Sequence, residues 1–324
     1  MIFKQLKSSK KKISSIGLGS WTLANKEYKK FFYNKISKKE ISHILGKAYE
    51  LGVNFYDTSP AYGRSESFIG DEFGTNKRDK ILICTKVGLN QFGEKINFEI
   101  KNITNQIHQS LRNLKTDYLD YVLIYNPKKN DRNILNCYNF LLSQKKMGKI
   151  KHIGISVESP TDYLLYYKKY KFDLIQCNFN ILDNRIYEKK LWDILKKTKI
   201  DLVARSIFCF GFFTEKFLRS EIKYGKNDYR SLWPSSQIES WRNGLKSIKN
   251  FDLNLDIEKI AIRFVLTEKI VSSALVGVRS VSELKNNLSN DNFKKLNKSF
   301  FKKIKNINRL NNFFVKKKRK HDIK

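Results

Sequence analysis

Cysteine, histidine and proline are scarce in this chain, with four of each among 324 residues. The scarcity narrows the chemistry. Cys84, Cys137, Cys177 and Cys209 lie far apart and share no metal-ligand spacing with His43, His108, His152 and His321. Three of the cysteines sit in apolar runs, where a reduced thiol acts as a small hydrophobe, as in a reducing compartment. No window approaches the length of a transmembrane helix, and the start, Met1-Ile2-Phe3-Lys4, turns basic too soon for a signal peptide. These absences predict a cytoplasmic protein with no metal and no membrane partner.

Acidic residues are also in deficit, 31 against 64 Lys and Arg, for a net charge of +33. Such an excess raises the question of a polyanionic partner. The distribution argues against one. Lysine outnumbers arginine 51 to 13, and asparagine, isoleucine, phenylalanine and tyrosine are plentiful too. All have A/T-rich codons, so a base-composition bias accounts for the pattern. Phosphate binding needs clustered cations, and the one dense block is Lys316-Lys317-Lys318-Arg319-Lys320, which reads as a solvated terminus. No specific nucleic acid is expected.

What the chain does contain is a core: 41% hydrophobic residues, 13% of the chain aromatic. Short apolar runs at 53–57, 81–86, 119–125, 152–156, 174–178, 201–206 and 273–278 read as strands. Amphipathic stretches at 39–51, 66–73, 99–114, 133–147, 161–169, 187–197 and 257–268 read as helices between them. This alternation predicts parallel βαβ units buried on both faces. Seven clear units and a harder-to-read eighth favour a closed (β/α)8 TIM barrel over an open sheet. No Gly-x-Gly-x-x-Gly loop follows any strand, which weakens the doubly wound alternative. No Pro/Gly/Ser-rich linker divides the chain. The expectation is therefore one barrel over residues 1–290, continued by a basic segment, 291–324. The segment Ile16-Gly17-Leu18-Gly19-Ser20-Trp21 reads either as a short strand capping the barrel floor or as the approach to a ligand. Residues 208–238 lack a clear period and are expected to form an active-site loop or lid. Trp21, Phe208, Phe210 and Trp233 would line the pocket or pack that lid.

Barrels of this kind carry their chemistry at the C-terminal strand ends. The run Val-Asn-Phe-Tyr-Asp-Thr-Ser-Pro-Ala-Tyr-Gly places Asp57 at one such end and Tyr62 in the following loop. Ile-Leu-Ile-Cys-Thr-Lys ends the next strand at Lys86. A lysine closing an apolar strand needs a counter-charge, and Asp57 is the natural one. The cation would also favour phenolate at Tyr62, whose proton is otherwise held to a pH near 10. Tyr62 could then act as general acid toward a carbonyl oxygen as hydride arrives at carbon. An ordinary buried ion pair beside a loop tyrosine is the alternative for either motif alone.

On these motifs the chain resembles the aldo-keto reductases, from the Gly-Leu-Gly-Ser-Trp segment to about Asn290. The resemblance implies a (β/α)8 barrel that binds NADP(H) without a Rossmann fold and interconverts carbonyls and alcohols, with a small-molecule carbonyl substrate. It assigns Asp57, Tyr62 and Lys86 to catalysis. Gly19, Ser20 and Trp21 would approach the cofactor beside Asp57. In His-Ile-Gly-Ile-Ser, Ser156 matches a contact to the nicotinamide carboxamide, although the asparagine that usually follows is Val157. Gln176 matches the second amide contact. Arg205, before Ser206, stands where an aromatic residue often stacks on the nicotinamide, and a guanidinium plane can stack too. The run Leu-Val-Gly-Val-Arg-Ser-Val-Ser-Glu-Leu-Lys-Asn-Asn-Leu resembles the adenosine-binding segment. There Gly277 allows close backbone approach, Arg279 would pair with the 2′-phosphate, and Glu283 and Asn287 would face adenine.

One position departs from the pattern. The family's fourth catalytic residue is a histidine ending the next strand, and Tyr125, followed by Asn126-Pro127, occupies it. A tyrosine is longer and offers a single O–H donor. Three readings stay open: Tyr125 supplies the second hydrogen bond to the oxyanion, or it reshapes the pocket for an unusual acceptor, or turnover is vestigial and the barrel serves as an NADP(H)-binding sensor or partner subunit.

Overall fold

Eight apolar runs pair in parallel until the sheet closes on itself. The computed structural model describes residues 1–24, 36–74, 76–91, 94–219, 224, 225, 228–252 and 254–314. An antiparallel hairpin comes first, β1 (Phe3–Gln5) and β2 (Lys12–Ser14). The barrel strands are β3 (Ile16–Gly19), β4 (Phe55–Asp57), β5 (Leu82–Val87), β6 (Leu119–Tyr125), β7 (Ile150–Ser156), β8 (Leu174–Asn178), β9 (Asp201–Arg205) and β10 (Val271–Val276). They run in chain order, and β10 closes the ring by pairing with both β9 and β3. The expected (β/α)8 barrel is the fold.

Helices α1 (Lys38–Glu50), α2 (Ser65–Phe73), α3 (Ile100–Asn113), α4 (Ile134–Lys146), α5 (Lys189–Lys197), α6 (Glu215–Arg219), α7 (Ser235–Lys249), α8 (Ile257–Thr267), α9 (Val281–Asn287) and α10 (Lys298–Leu310) surround it. Their starts follow local chemistry. The side chains of Ser37, Asp256 and Ser280 accept from the backbone N–H groups of Glu40, Lys259 and Glu283, satisfying donors that a first turn leaves unpaired.

Two cores result. Between strands and helices lies a continuous apolar shell, in which residues such as Ile44, Ile107, Leu141, Leu191 and Val265 are buried. Inside the barrel, Phe55, Leu82, Tyr121, Leu174, Val203 and Leu275 pack with Leu6 and Ile13 of the hairpin. The hairpin therefore caps the floor, while Ile16–Gly19 is the eighth barrel strand. Its sequence signal is faint for a physical reason. Ile16 and Leu18 face the shell, and the alternate positions are glycines. A Cβ on Gly17 would lie 2.7 Å from Cδ1 of Phe55, so the ring fills the space a side chain would take.

Three other segments differ from the expected pattern. The stretch 161–169 forms only a 3-10 turn, Pro160–Leu165, whose start is held by Asp162 accepting from Ser159 N at 3.0 Å. Its Tyr166 meets Tyr170 at 6.3 Å between centroids, and Tyr170 in turn packs on Tyr138 at 4.9 Å. Residues 208–238 contain 3-10 turns at Cys209–Gly211 and Tyr229–Leu232, all of α6 and the first turn of α7. Helix α7 has the spacing Trp241, Leu245, Ile248 on its buried face, a helical signal masked by the aperiodic aromatics before it. Helix α10 packs on the barrel through buried Ile304. Just beyond it, the Phe313 carbonyl accepts from Gln237 Nε2 at 2.6 Å. The basic block at 316–320 lies outside the described residues.

All four cysteines are buried and unpaired with one another. Among the described residues, no helix is long and apolar enough to cross a membrane.

Candidate active site

Strand β4 ends in Asp57 and β5 carries Lys86, and both are almost wholly buried at 3% and 2% exposure. Register places the two strands side by side, and the ammonium of Lys86 donates to both carboxylate oxygens, at 2.7 Å to Oδ1 and in closer contact with Oδ2. A third bond runs to the Thr58 carbonyl at 2.9 Å. Burial works against the charge on Lys86, yet the Asp57 carboxylate, with Tyr62 and Cys84, outweighs it and holds the lysine above its ordinary pKa. Gln176 of β8 donates through Nε2 to Asp57 Oδ2 at 3.1 Å. Three strands therefore fix one carboxylate.

Tyr62 sits in the loop between β4 and α2, and the Lys86 ammonium lies 4.8 Å from its ring centroid. Five local bonds shape this loop. Thr58 N donates to Cys84 O at 2.8 Å and Tyr62 N to Ser59 O at 2.9 Å. Ser65 Oγ lies 2.8 Å from the Tyr62 carbonyl and 2.9 Å from that of Ser20, and Arg64 N donates to Ala24 O at 3.0 Å. On its other side the phenol ring meets Trp21 edge-on, with centroids 5.1 Å apart. The expected effect of Lys86 is present but does not win. Burial pushes Tyr62 up to about 12, Lys86 and Arg205 pull it down, and Asp57 and Tyr125 push it up. The phenol stays protonated at neutral pH.

Beneath this loop Glu66, the second residue of α2, is buried. It accepts from Thr85 Oγ1 at 2.8 Å, Ser110 Oγ at 2.7 Å and Asn113 Nδ2 at 3.2 Å. Burial raises its carboxyl pKa, partly offset by these three bonds. Glu66 ties the helix after Tyr62 to β5 beside Lys86. Sequence reading passes over it because a glutamate in the first turn of a helix is commonplace.

Tyr125 ends β6 half-buried at the same face, close enough to Tyr62 to act on its pKa. The chain then turns through Asn126 at φ 41°, whose N–H donates to Ser156 O at 2.8 Å. Ser156 ends β7 fully buried, with Oγ 3.4 Å from Asn126 Oδ1. Arg205 ends β9 and donates through Nη2 to Val157 O at 3.0 Å. Ser206 follows at φ 57°, and Cys209, Phe210 and Gly211 are also left-handed, so the loop after β9 is tightly wound. Its aromatics pack inward on one another: Phe210 on Trp233 at 4.9 Å, and Trp233 on buried Trp241 at 4.8 Å.

The adenosine-type residues gather beside β10. Thr22 Oγ1 donates to Val278 O at 2.8 Å, and a Cβ on Gly277 would come within 2.9 Å of Thr22 Cγ2. Gly19, Ser20 and Trp21 leave β3 at the same edge. Glu283 accepts from Arg279 N at 2.8 Å, so its carboxylate closes the turn into α9. Asn287 ends that helix, partly exposed.

At the strand ends of this face, four buried polar atoms have no partner among the described residues: Ser20 Oγ, Thr58 Oγ1, Asn178 Oδ1 and Arg205 Nε. They stand at the ends of β3, β4, β8 and β9. Buried polar atoms are normally paired, and a cluster without partners fits a polar ligand across the mouth. Asn178 escapes a reading by motif. Its signal is parity, two residues beyond Gln176 on a strand whose side chains alternate.

The profile of the Aldo/keto reductase family matches residues 15–309. The chain belongs to this family of oxidoreductases, which work with nicotinamide cofactors. Uncharacterized oxidoreductase YqkF of Bacillus subtilis is 28% identical over 310 residues, covering 93% of this chain and 94% of its own length. D-arabinose 1-dehydrogenase of Saccharomyces cerevisiae is 28% identical over 272 residues, 77% and 76% of the two chains. Among solved structures, the holo form of aldo-keto reductase AKR11C1 from Bacillus halodurans superposes with TM-score 0.76 at 22% identity, covering 95% of this chain and 96% of that one.

Proposed function

We propose that this protein is an NADP(H)-dependent reductase of an aldehyde, ketone or sugar-like carbonyl, with Tyr62 as proton donor. The observation that carries the reading is the buried Lys86–Asp57 pair set against the ring of Tyr62. When bound, NADPH supplies the hydride to the carbonyl carbon. Tyr62 donates the proton to the carbonyl oxygen. Lys86 stabilises the charge that develops on the phenol, and Asp57 keeps the lysine charged and aimed. Bringing hydride and carbonyl together raises the negative charge on oxygen, which makes proton donation from a phenol of high pKa favourable. Tyr125 offers its hydroxyl as a second donor to the same oxygen, taking the place of the usual histidine.

The nicotinamide end would rest against Gly19, Ser20, Trp21, Ser156, Gln176, Arg205 and Ser206. The four unpaired polar atoms at the mouth support that placement. Gly277, Arg279, Glu283 and Asn287 would hold the adenosine end, with the Arg279 guanidinium selecting the 2′-phosphate. A sugar-like substrate accords with the relationship to the yeast D-arabinose 1-dehydrogenase.

The decisive experiment pairs binding with turnover. Purified protein should bind NADPH in a fluorescence titration and oxidise it with a member of a carbonyl panel. Tyr62→Phe should lower that rate by about a hundredfold or more while leaving the NADPH dissociation constant nearly unchanged. Full activity in the variant would overturn the assignment of Tyr62.

A further inference from the structure

Lysines that are scattered along the sequence are brought together by the fold. Three turns at the barrel floor repeat one spacing: Lys-Lys-Met-Gly-Lys-Ile at 145–150, Lys-Lys-Tyr-Lys-Phe at 168–172 and Lys-Lys-Thr-Lys-Ile at 196–200. They lead into β7, β8 and β9, which pair side by side in the barrel. The closing apolar residue of each turn, Ile150, Phe172 or Ile200, is buried and fixes the turn against the barrel. Neighbouring strands lie about 4.8 Å apart, so the three strand starts fall within about 10 Å across the sheet.

The carboxylates nearby are engaged elsewhere. Asp173 accepts from Lys145 at 2.8 Å and from Ile153 N at 3.0 Å. Asp201 is buried and takes the backbone N–H groups of Lys7 and Ser8. Asp193 pairs with Lys196 at 3.2 Å. The second and third lysines of each turn have no carboxylate partner among the described residues: Lys146 and Lys149, Lys169 and Lys171, Lys197 and Lys199. Lys149 is half-buried and the other five are exposed. The mouth differs, since there Lys128 pairs with Glu158, Arg185 with Asp183 and Arg230 with Asp228.

Two ordinary causes fall short of this pattern. Cations in the last turn of a helix are favoured by its dipole, which covers Lys146 on α4 and Lys197 on α5. That effect does not reach Lys149 and Lys199 beyond those helices. Nor does it reach the turn at 168–172, which follows a 3-10 turn rather than an α-helix. Codon bias makes lysine common everywhere and leaves the same spacing on three neighbouring turns unexplained. Unpaired cations this close repel one another, because screening at physiological salt acts over about 8 Å. A polyanion laid across the turns would remove that repulsion.

We propose that this row of lysines on the barrel floor docks the phosphate backbone of a nucleic acid without reading its sequence. Lysine is a compact point charge, so it neutralises phosphates without selecting bases. The row follows the barrel rim, which suits a linear polyanion. A membrane surface would also call for apolar side chains to insert, and among those of these turns Met147 alone is strongly exposed, at 67%. The face lies at the opposite end of the barrel from Asp57, Tyr62 and Lys86, so it stands or falls independently of the cofactor reading.

The test is fluorescence anisotropy of a labelled single-stranded RNA of mixed sequence, about 20 nucleotides long, titrated with the full chain between about 50 and 200 mM salt. Each phosphate neutralised on a single strand contributes about −0.7 to the slope of log affinity against log salt, so six lysines give about −4. The floor triple, Lys146→Gln with Lys169→Gln and Lys197→Gln, should reduce the slope to about −2 and weaken binding at least about tenfold. Its melting temperature should not fall, because removing like charges relieves repulsion, and this separates lost binding from lost folding. Two control triples remove the same charge elsewhere: Lys101→Gln, Lys129→Gln and Lys189→Gln at the mouth, and Lys316→Gln, Lys317→Gln and Lys318→Gln in the C-terminal block. Each control should keep the affinity within about threefold of wild type. A scrambled RNA of the same length should bind as well as the first.

No salt-dependent binding at the lowest salt overturns the proposal. An equal loss in all three triples overturns it too, because net charge and not this face would then be responsible, as does a loss confined to a control. Capture by phosphatidylglycerol vesicles that the RNA does not compete away assigns the face to a membrane and likewise overturns it.

Discussion

The two ends of the barrel treat buried polarity in opposite ways. At the floor, Asp201 accepts from Lys7 N at 2.9 Å, Ser8 N at 3.1 Å, Ser8 Oγ at 2.6 Å and Ser272 Oγ at 3.0 Å, locking the hairpin turn beneath the strands. Arg78 donates to Thr116, to the carbonyls of Ile81 and Tyr118, and to Asp120 at 2.7 Å. Three floor atoms lack a hydrogen bond among the described residues: Ser15 Oγ just before β3, Asp120 Oδ1, which lies 3.7 Å from Lys11 Nζ, and His152 Nδ1, which lies 3.5 Å from Asp173. At the mouth, four buried atoms at strand ends have no partner among the described residues, and four left-handed residues cluster after β9. The same strands build both ends. Most of the floor's polar groups satisfy one another, whereas at the mouth unpartnered atoms stand beside the satisfied Lys86–Asp57–Gln176 cluster. That division is what a barrel with stability at one face and chemistry at the other requires.

The largest effect should follow from breaking the buried Lys86–Asp57 pair at the mouth. Lys86→Met leaves Asp57 buried without its cation. Urea unfolding should show a loss of about 3–5 kcal/mol, and NADPH oxidation should fall to background. Adding Asp57→Asn should recover much of the stability and none of the activity. If the double variant is as unstable as the single, the ion pair is not the source of the loss.

Asp201→Ala tests the other end. It strips the acceptor from four donors and should cost about 2–3 kcal/mol by the same assay. NADP+ affinity should stay within about twofold of wild type, since the proposed cofactor contacts lie at the opposite end of the barrel. A large change in affinity would erase the distinction between the ends.

The smallest effects concern pH, and the two ends differ in sign. Tyr62 at the mouth has its folded pKa raised to about 12. Its contribution is therefore full below the unfolded value near 10 and is lost as pH rises through about 12. Difference absorbance at 295 nm between wild type and Tyr62→Phe should show no phenolate from this residue below about pH 10. Near the floor, Lys4 donates to Val271 O at 2.6 Å, and burial, then Lys295, lowers its pKa to about 8. A depressed lysine penalises folding below about pH 8, and the penalty is relieved as pH rises toward its unfolded value near 10.4. The melting temperature of wild type relative to Lys4→Met should therefore rise from pH 7.5 to 10.

Much of this was legible in the sequence where signals are local and periodic. The strands ending in Tyr125 and Asn178 have the bounds that their apolar runs predict. Lys86 and Asp57 meet because an unpaired buried cation is untenable and the neighbouring strand offers one carboxylate. The eighth strand was faint because its inward positions are glycines. Helices α7 and α10 were obscured where aromatic and lysine-rich stretches hide the period. Glu66 and Asn178 have no motif, and their importance comes from the donors each has or lacks.

What the sequence determined by itself is the alternation of strand and helix, the closed barrel and which polar side chains stand at the strand ends, since these follow from short-range spacing. Tertiary structure decided which atoms end up without partners and which way burial moves Tyr62. Both depend on how tightly distant segments pack around a side chain, and that packing is a property of the closed barrel rather than of any one segment.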